Sequence, residues 1–286
     1  MLKSHPINEN KYLFEKAFKM KADVLYERKG DLYYPTDRAA SPWDSQLIHG
    51  GAITGLLAHV LDTRHRNAGM QFIRITNDLF RPAPRQPVTV ETEIIRQGSR
   101  IQAIVARMII DTHEVARATA ISAISQNIEL PEHVADPEPI EFPEHLPVSG
   151  FLGPYTNNIE EAPPGFNFAV EMRKVEGFEF KGWGTAWLHI RSDVVESERN
   201  TPLSYMGMMT DFGNGIGQMG LGNNQACINS DSTLYLYRYP QQRWIRFQCQ
   251  TQIQPSGSGT TETVLADKDG PLGKVLQSLI VRPFRL

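Results

Sequence analysis

Cysteine is nearly missing from this chain: 286 residues carry only Cys227 and Cys249. Two thiols cannot build the disulfide framework of a small secreted scaffold. Both fall on strand-like segments that read as one hairpin turning near residues 239–242, a register that pairs Cys227 nearer residue 255 than 249. Free thiols in a reducing, cytoplasmic setting are therefore expected. Basic runs are missing too. No Lys/Arg run exceeds two residues and the net charge is −3, so no nucleic-acid partner is expected. The opening MLKSHPINENKY lacks the apolar core of a signal peptide. The most apolar window, residues 50–61, is broken by Thr54 and His59 and is too short to span a membrane. Nothing has the spacing of a zinc site or a nucleotide phosphate loop, so no metal and no organic cofactor is expected.

What is present is a folded-protein composition, 41% apolar and 21% charged, with enough length to bury a substantial core. Its main feature is repetition. Residues 49–125 and 201–282 share one grammar: a helical segment rich in small residues, then a series of long strand-like segments. The landmarks keep step, with Arg81 and Arg238 (238 − 81 = 157), Asp111 and Asp267 (267 − 111 = 156), and Ser122 and Ser278 (278 − 122 = 156).

Within the first copy, residues 23–34 suggest two short strands around a Lys29-Gly30-Asp31 turn. Ile53, Leu56, Leu57, Val60 and Leu61 recur at helical spacing and predict a buried helix entered through Gly50 and Gly51. FIRITNDLFRP, VTVETEIIRQG, RIQAIVARMIID and EVARATAISAIS then read as antiparallel strands, the second with the period of two in Val88, Val90, Thr92 and Ile94. Residues 127–165 hold eight prolines among acidic residues, which suits a linker or crossover. The second copy offers TPLSYMGMMTDFGNGIGQ as its helix, with Pro202 early and Gly213, Gly215 and Gly217 fraying its end. CINSDSTLYLYRY, WIRFQCQTQIQ, GTTETVLAD and KVLQSLIVRPF follow as strands.

The expected organisation is residues 1–126, a crossover at 127–165, and residues 166–286. The simplest fold is α+β: two tandem antiparallel sheets, each wrapped around a central helix and joined edge to edge into one long curved sheet. Its exposed back makes a homo-oligomer an expectation as well.

Trp43-Asp44 followed by His49-Gly50-Gly51 and a Leu/Ala-rich helix resembles the central helix of a hotdog-fold thioesterase. With Thr210-Asp211-Phe212-Gly213-Asn214-Gly215 on the second helix and Gln277-Ser278-Leu279-Ile280-Val281-Arg282-Pro283 on the last strand, roughly residues 20–284 resemble the double-hotdog acyl-CoA thioesterase II family. The resemblance implies an acyl-CoA substrate, hydrolysed by an activated water to free acid and CoA in lipid metabolism. It implies an Asp, a Thr and a Gln around that water. Here the Asp is Asp211 and the Gln is Gln277, while the Thr position falls on Asn229, a departure, with Ser230 and Ser232 nearby.

A carboxylate can take a proton from water, amides can fix it, and backbone N–H groups at a helix start favour an oxyanion. The proposal at this level has the backbone of residues 50–52 from one copy meeting Asp211 from the other. His49, Gly50 and Gly51 then become substrate-binding residues, although a His before Gly-Gly more often packs and hydrogen-bonds. The position matching Gln277 in the first copy is Ile121 (277 − 156 = 121), so one site per chain is expected.

The remaining residues have plainer readings. Asp62 reads as a solvated helix-end residue, and Tyr235, Tyr237 and Tyr239 as a packed strand face. Met206, Met208, Met209 and Met219 suit either an acyl tunnel or core filling. Arg81, Arg100, Arg238 and Arg282 are available for CoA phosphates. Two other functions stay open. One is a non-catalytic acyl-thioester or lipid-binding protein, supported by Asn229. The other is an acyl-thioester hydratase or dehydratase, which needs a His beside its carboxylate, and the second helix holds no His.

Overall fold

The structure is a computed structural model that describes residues 23–134, 138–151, 165–222 and 225–283. Pro137, Pro154, Pro163 and Pro164 of the proline-rich stretch lie outside them.

The first copy opens with strands β1 (Val24–Lys29) and β2 (Leu32–Pro35), reversed at Gly30, whose φ of +63° favours glycine. Helix α1 (Gly50–His65) follows, then β3 (Met70–Leu79), β4 (Val88–Gln97), β5 (Ile101–Ile110) and β6 (His113–Ile124). A two-residue strand β7 (Ser149–Gly150) forms where the crossover is free of proline and pairs with β8 at Met172 and Glu171. The second copy runs β8 (Val170–Gly177), β9 (Trp183–Ile190), β10 (Asp193–Val195), helices α2 (Pro202–Met209) and α3 (Gly213–Ile216), and β11 (Gln225–Asn229). It closes with β12 (Asp231–Leu236), β13 (Ile245–Ile253), β14 (Ser258–Asp267) and β15 (Gly270–Pro283).

One sheet takes all fifteen strands, in the order β10-β1-β2-β4-β5-β6-β3-β12-β15-β14-β13-β9-β8-β7 with β11 paired to β15. Read outward from its middle, the order is the same on both sides: β3, β6, β5, β4, β2, β1 answers β12, β15, β14, β13, β9, β8. The halves join where β3 pairs antiparallel with β12, at Thr76 opposite Thr233 (233 − 76 = 157), the spacing of the sequence repeat. Their hydroxyls meet at 3.2 Å.

Each half curls around its helix. Helix α1 is buried from Gly51 through Asp62, as a helix that is apolar nearly all round must be. Thr201 caps α2 by accepting from the Ser204 N–H at 3.1 Å, and Pro202 supplies a first-turn φ without needing a partner for an N–H. The two helices cross on small residues. A Cβ on Gly207 would stand 2.6 Å from the Ala58 Cβ and 2.9 Å from the Thr54 carbonyl, and a Cβ on Gly55 would stand 2.5 Å from the Met208 Cγ.

Three strand expectations change. The segment from Cys227 is two strands, because at Ser230 and Asp231 the register against β15 slips by one residue: Asn229 pairs Leu279 but Thr233 pairs Leu276. Asp231 Oδ1 accepts the Ser278 N–H there at 3.0 Å. Next, β11 and β13 do not form a hairpin: β11 pairs with β15, and β13 with β9 and β14. Cys227 and Cys249 are free all the same, and burial pushes the Cys249 thiol up to about 12. Lastly, Tyr235 and Tyr237 stand exposed on the outer face, while Tyr239 packs against the core and its hydroxyl accepts the Phe72 N–H.

The close helix crossing makes a prediction. Gly207→Val lowers unfolding free energy by about 1–3 kcal/mol, the usual cost of overpacking, as read from urea denaturation. An unchanged midpoint contradicts the crossing.

Candidate active site

The second helix does not run through. The N–H of Thr210 bonds back to the Gly207 carbonyl and the chain restarts as α3 at Gly213, so Asp211 sits at the break. The break aims its carboxylate at the start of α1. Asp211 Oδ2 accepts the Gly51 N–H at 2.9 Å, and Oδ1 accepts from Asn229 Nδ2 at 2.6 Å. Gly50 leaves the room for this, since a Cβ there would lie 2.6 Å from Asp211 Oδ2. A carboxylate whose side chain is 11% exposed thus has donors from both copies, one of them a helix-start amide suited to negative charge.

His49 caps the same helix. Its Nδ1 accepts the Gly51 N–H at 2.9 Å and lies 3.2 Å from Asp211 Oδ2, so one amide serves two acceptors. The ring is held between Phe166, edge-on at 5.1 Å, and Phe212, stacked at 5.5 Å. Burial pushes the imidazole below the ordinary histidine range, against the pull of the Asp211 carboxylate and the Asn167 amide toward the charged form. A neutral ring whose Nδ1 accepts carries its proton on Nε2.

His49, Asn167, Asp211 and Asn229 line a cavity of about 380 Å³. Its walls include Trp43, Phe151, Met172, Phe178, Phe212 and Met219.

Asp211, Asn229, His49, Gly50 and Gly51 are therefore brought together across the two copies. Gln277 shares no hydrogen bond with them among the described residues and does not line the cavity. Fully buried on β15, it accepts the Asn214 N–H through Oε1 at 3.0 Å, and its Nε2 has no partner among the described residues. It holds the start of α3 rather than the cavity wall. The Gly51 N–H also differs from the expectation of a free oxyanion donor, because Asp211 and His49 already share it.

Other readings are corrected. Asp62 is buried, paired with Arg66 one helical turn on at 2.9 Å. Of the two uses open to the methionines, Met206, Met208 and Met209 take core filling, and of the four Met219 lines the cavity. Arg81, Arg100, Arg238 and Arg282 do not line it, and Arg238 is held by Asp267 at 2.9 Å. Sequence reasoning missed Asn167, which lines the cavity from a buried 3-10 turn. It also missed Asn214, whose Nδ2 donates to the Cys227 carbonyl at 3.2 Å. Asn167 belongs to no motif that would have marked it, whereas Asn214 stands inside the segment 210–215 and was passed over.

Two predictions follow from this geometry. Gly50→Ala displaces the Asp211 carboxylate and lowers turnover more than it lowers the melting temperature; the reverse order contradicts the contact. His49 is depressed in the folded state, so below about pH 6.5 the unfolded chain binds more protons and stability falls as pH falls. His59 and His65 are lowered by burial as well and add to that slope. In urea titrations His49→Gln therefore flattens the acid loss without removing it, and an unchanged slope contradicts a neutral, buried His49.

Comparison with known proteins agrees with the fold. Residues 39–123 match the family described as the acyl-CoA thioesterase N-terminal domain, and residues 135–281 the acyl-CoA thioesterase C-terminal domain. No curated protein matches the chain by sequence. Similar solved structures include an acyl-CoA thioesterase II, TesB2, from Mycobacterium marinum, 15% identical with a TM-score of 0.62, over 94% of this chain and 97% of that one. The tesB protein of Mycobacterium avium subspecies paratuberculosis is 15% identical with a TM-score of 0.63, over 96% and 99%. A protein of unknown function with a hotdog fold from Alicyclobacillus acidocaldarius is 14% identical with a TM-score of 0.65, over 90% and 95%. The mirrored sheet is thus a double hotdog, and by its two matched domains this chain belongs to the acyl-CoA thioesterase family.

Proposed function

We propose that the protein hydrolyses the thioester of an acyl-CoA to free acid and CoA. The observation that carries this reading is the Asp211 carboxylate, fixed by Gly51 and Asn229 in the wall of an apolar-lined cavity. A water beside Asp211 gives up its proton to the carboxylate as its oxygen bonds to the thioester carbon. The carbonyl oxygen takes the negative charge, and His49, which lines the cavity, is the donor this reading assigns to it. When the tetrahedral centre collapses, the carbon–sulfur bond breaks and the thiolate takes up the proton held by Asp211, which returns the carboxylate to its ionised form.

Asn229 here orients the base and bonds it directly. Gln277 supports from beneath, through Asn214 and α3. The pairing also explains how one working site arises from two copies: Ile121 stands where the first copy would need a Gln277.

One observation favours a second reading. His49, from the first copy, lies 3.2 Å from Asp211, which is the His–carboxylate pair that an acyl-thioester hydratase or dehydratase uses and that the second helix alone does not supply. Against it stands the engagement of His49 Nδ1 by the Gly51 N–H.

Purified protein with a series of acyl-CoAs and a thiol-trapping dye tests the proposal. Free CoA release is expected, with Asp211→Asn lowering kcat by at least about 10²-fold and Asn229→Ala by about tenfold. Unchanged turnover in Asp211→Asn removes that residue from the mechanism. Loss of the conjugated absorbance of an enoyl-CoA without thiol release favours the hydratase. Binding with neither reaction favours a carrier.

A further inference from the structure

The two copies are tied at a second place, away from the cavity. His59 of α1 is 1% exposed, and its Nε2 lies 2.9 Å from Glu198 Oε2 in the loop before α2. Its Nδ1 has no partner, so among the described residues Glu198 alone hydrogen-bonds the ring. Arg28 of β1 meets the same carboxylate from outside, 3.3 Å from Oε1. The loop is itself fixed. Ser197 takes a φ of 61°, unfavourable for a residue with a side chain, and backbone bonds hold the turn around it. The Glu198 N–H bonds to the Val195 carbonyl at 3.1 Å, and the Glu196 N–H to the Tyr26 carbonyl at 2.8 Å.

This tie has a counterpart at the cavity. There His49 of the first copy lies 3.2 Å from Asp211 of the second, while here His59 of the first copy meets Glu198 of the second. Between the two lies the helix crossing at Gly55 and Gly207. Gly51, Gly55 and His59 follow one another at intervals of four residues on α1. They therefore share the face turned to α2 and stand about 6 Å apart along the axis. The eight-residue α2 packs chiefly on α1. A short helix that crosses on a glycine has few interlocking ridges to fix its angle.

We propose that His59 and Glu198 are positioning residues for the site: their pair sets the angle of α2 on α1 from the far side of the crossing and so keeps Asp211 in register with the Gly51 N–H. A helix pinned at one point can turn about it, and a helix pinned on both sides cannot. Neither residue lines the cavity, so both act through α2 and not on a substrate. That the register serves hydrolysis rests on the reading above, but the register itself is measured without turnover.

The Gly51 amide resonance and steady-state kinetics test the pair together. Glu198→Ala is expected to move the Gly51 N–H upfield and to lower kcat about tenfold, with KM within about twofold, because a small misplacement at a reacting group slows the chemistry and not the binding. Glu198→Gln keeps an acceptor for the His59 Nε2–H and returns both readouts to near wild type. Glu198→Asp keeps the charge but falls short of the ring. It gives a smaller change in the same direction, and it carries the test if Glu198→Ala does not fold. Arg66→Gln breaks an ion pair of α1 that does not cross between the copies. It lowers the melting temperature and leaves the Gly51 resonance in place. The proposal is overturned if the Gly51 resonance ignores both Glu198→Ala and Glu198→Asp, if Glu198→Gln displaces it as far as Glu198→Ala, or if Arg66→Gln does. These shifts without CoA release from acyl-CoAs sink the hydrolase reading and leave the tie standing. CoA release with an unmoved Gly51 resonance sinks the tie alone.

Discussion

A carboxylate withdrawn from water must find donors, and the whole site is arranged around that need. Asp211 finds them on two elements far apart in sequence: the first turn of α1 in one copy and β11 in the other. Each neighbouring irregularity serves the approach. The second helix breaks so that Asp211 points out of its axis. Residue 50 lacks a side chain because a Cβ would collide with the carboxylate. The slip between β11 and β12 ends β11 at Asn229, which delivers its amide to within 2.6 Å. None of these is a stability device. A continuous helix, an alanine and a straight strand would each form more readily in isolation.

Duplication supplies the scaffold and asymmetry supplies the chemistry. The sheet is mirrored about Thr76 and Thr233, and each copy brings one helix to the crossing. Only the second copy's helix region carries Asp211. Farther along α1, His59 is buried with its Nε2 2.9 Å from Glu198 Oε2, while Arg28 reaches Glu198 Oε1 at 3.3 Å. That cluster ties β1, α1 and the loop before α2 together and does not line the cavity. The repeated landmarks have diverged in the same way. Arg238 and Asp267 form an ion pair in the second copy, whereas Arg81 and Asp111 are exposed in the first. Strict twofold pairing would place the same residue at corresponding positions of both copies and could not set a carboxylate from one against an imidazole from the other.

Much of the fold was legible because it rests on periodicity. The spacing in Ile53, Leu56, Leu57, Val60 and Leu61 marks α1, the alternation after Val88 marks β4, and the offset of 156–157 residues between landmarks marks the duplication. The same signals cannot report pairing. Nothing local distinguishes a hairpin between β11 and β13 from the observed pairing of each with other strands, since that choice is made by curvature around the helix. The slip at Ser230 was invisible for a related reason: a bulge is a relation between two strands. Asp62 could have been read better, because Arg66 stands one helical turn away and invites the pair. Of the site, Asp211, Asn229 and the His49-Gly50-Gly51 turn were readable through their order in the chain. Gln277 was named for holding a water, but the partner it has in the structure, the Asn214 N–H, is a backbone group that no sequence motif displays. Asn167 was missed because an isolated Asn carries no pattern, and only the cavity connects it to the site.

The claim on which the account turns is that the carboxylate of Asp211 is held at the first turn of the other copy's helix. The amide resonance of Gly51 reports it most directly. The account predicts a strongly downfield Gly51 N–H in the wild-type protein that moves upfield in Asp211→Asn, with the helix otherwise unperturbed. A Gly51 resonance that does not respond to that substitution would mean that the two copies do not meet there, and the carboxylate would have no anchor.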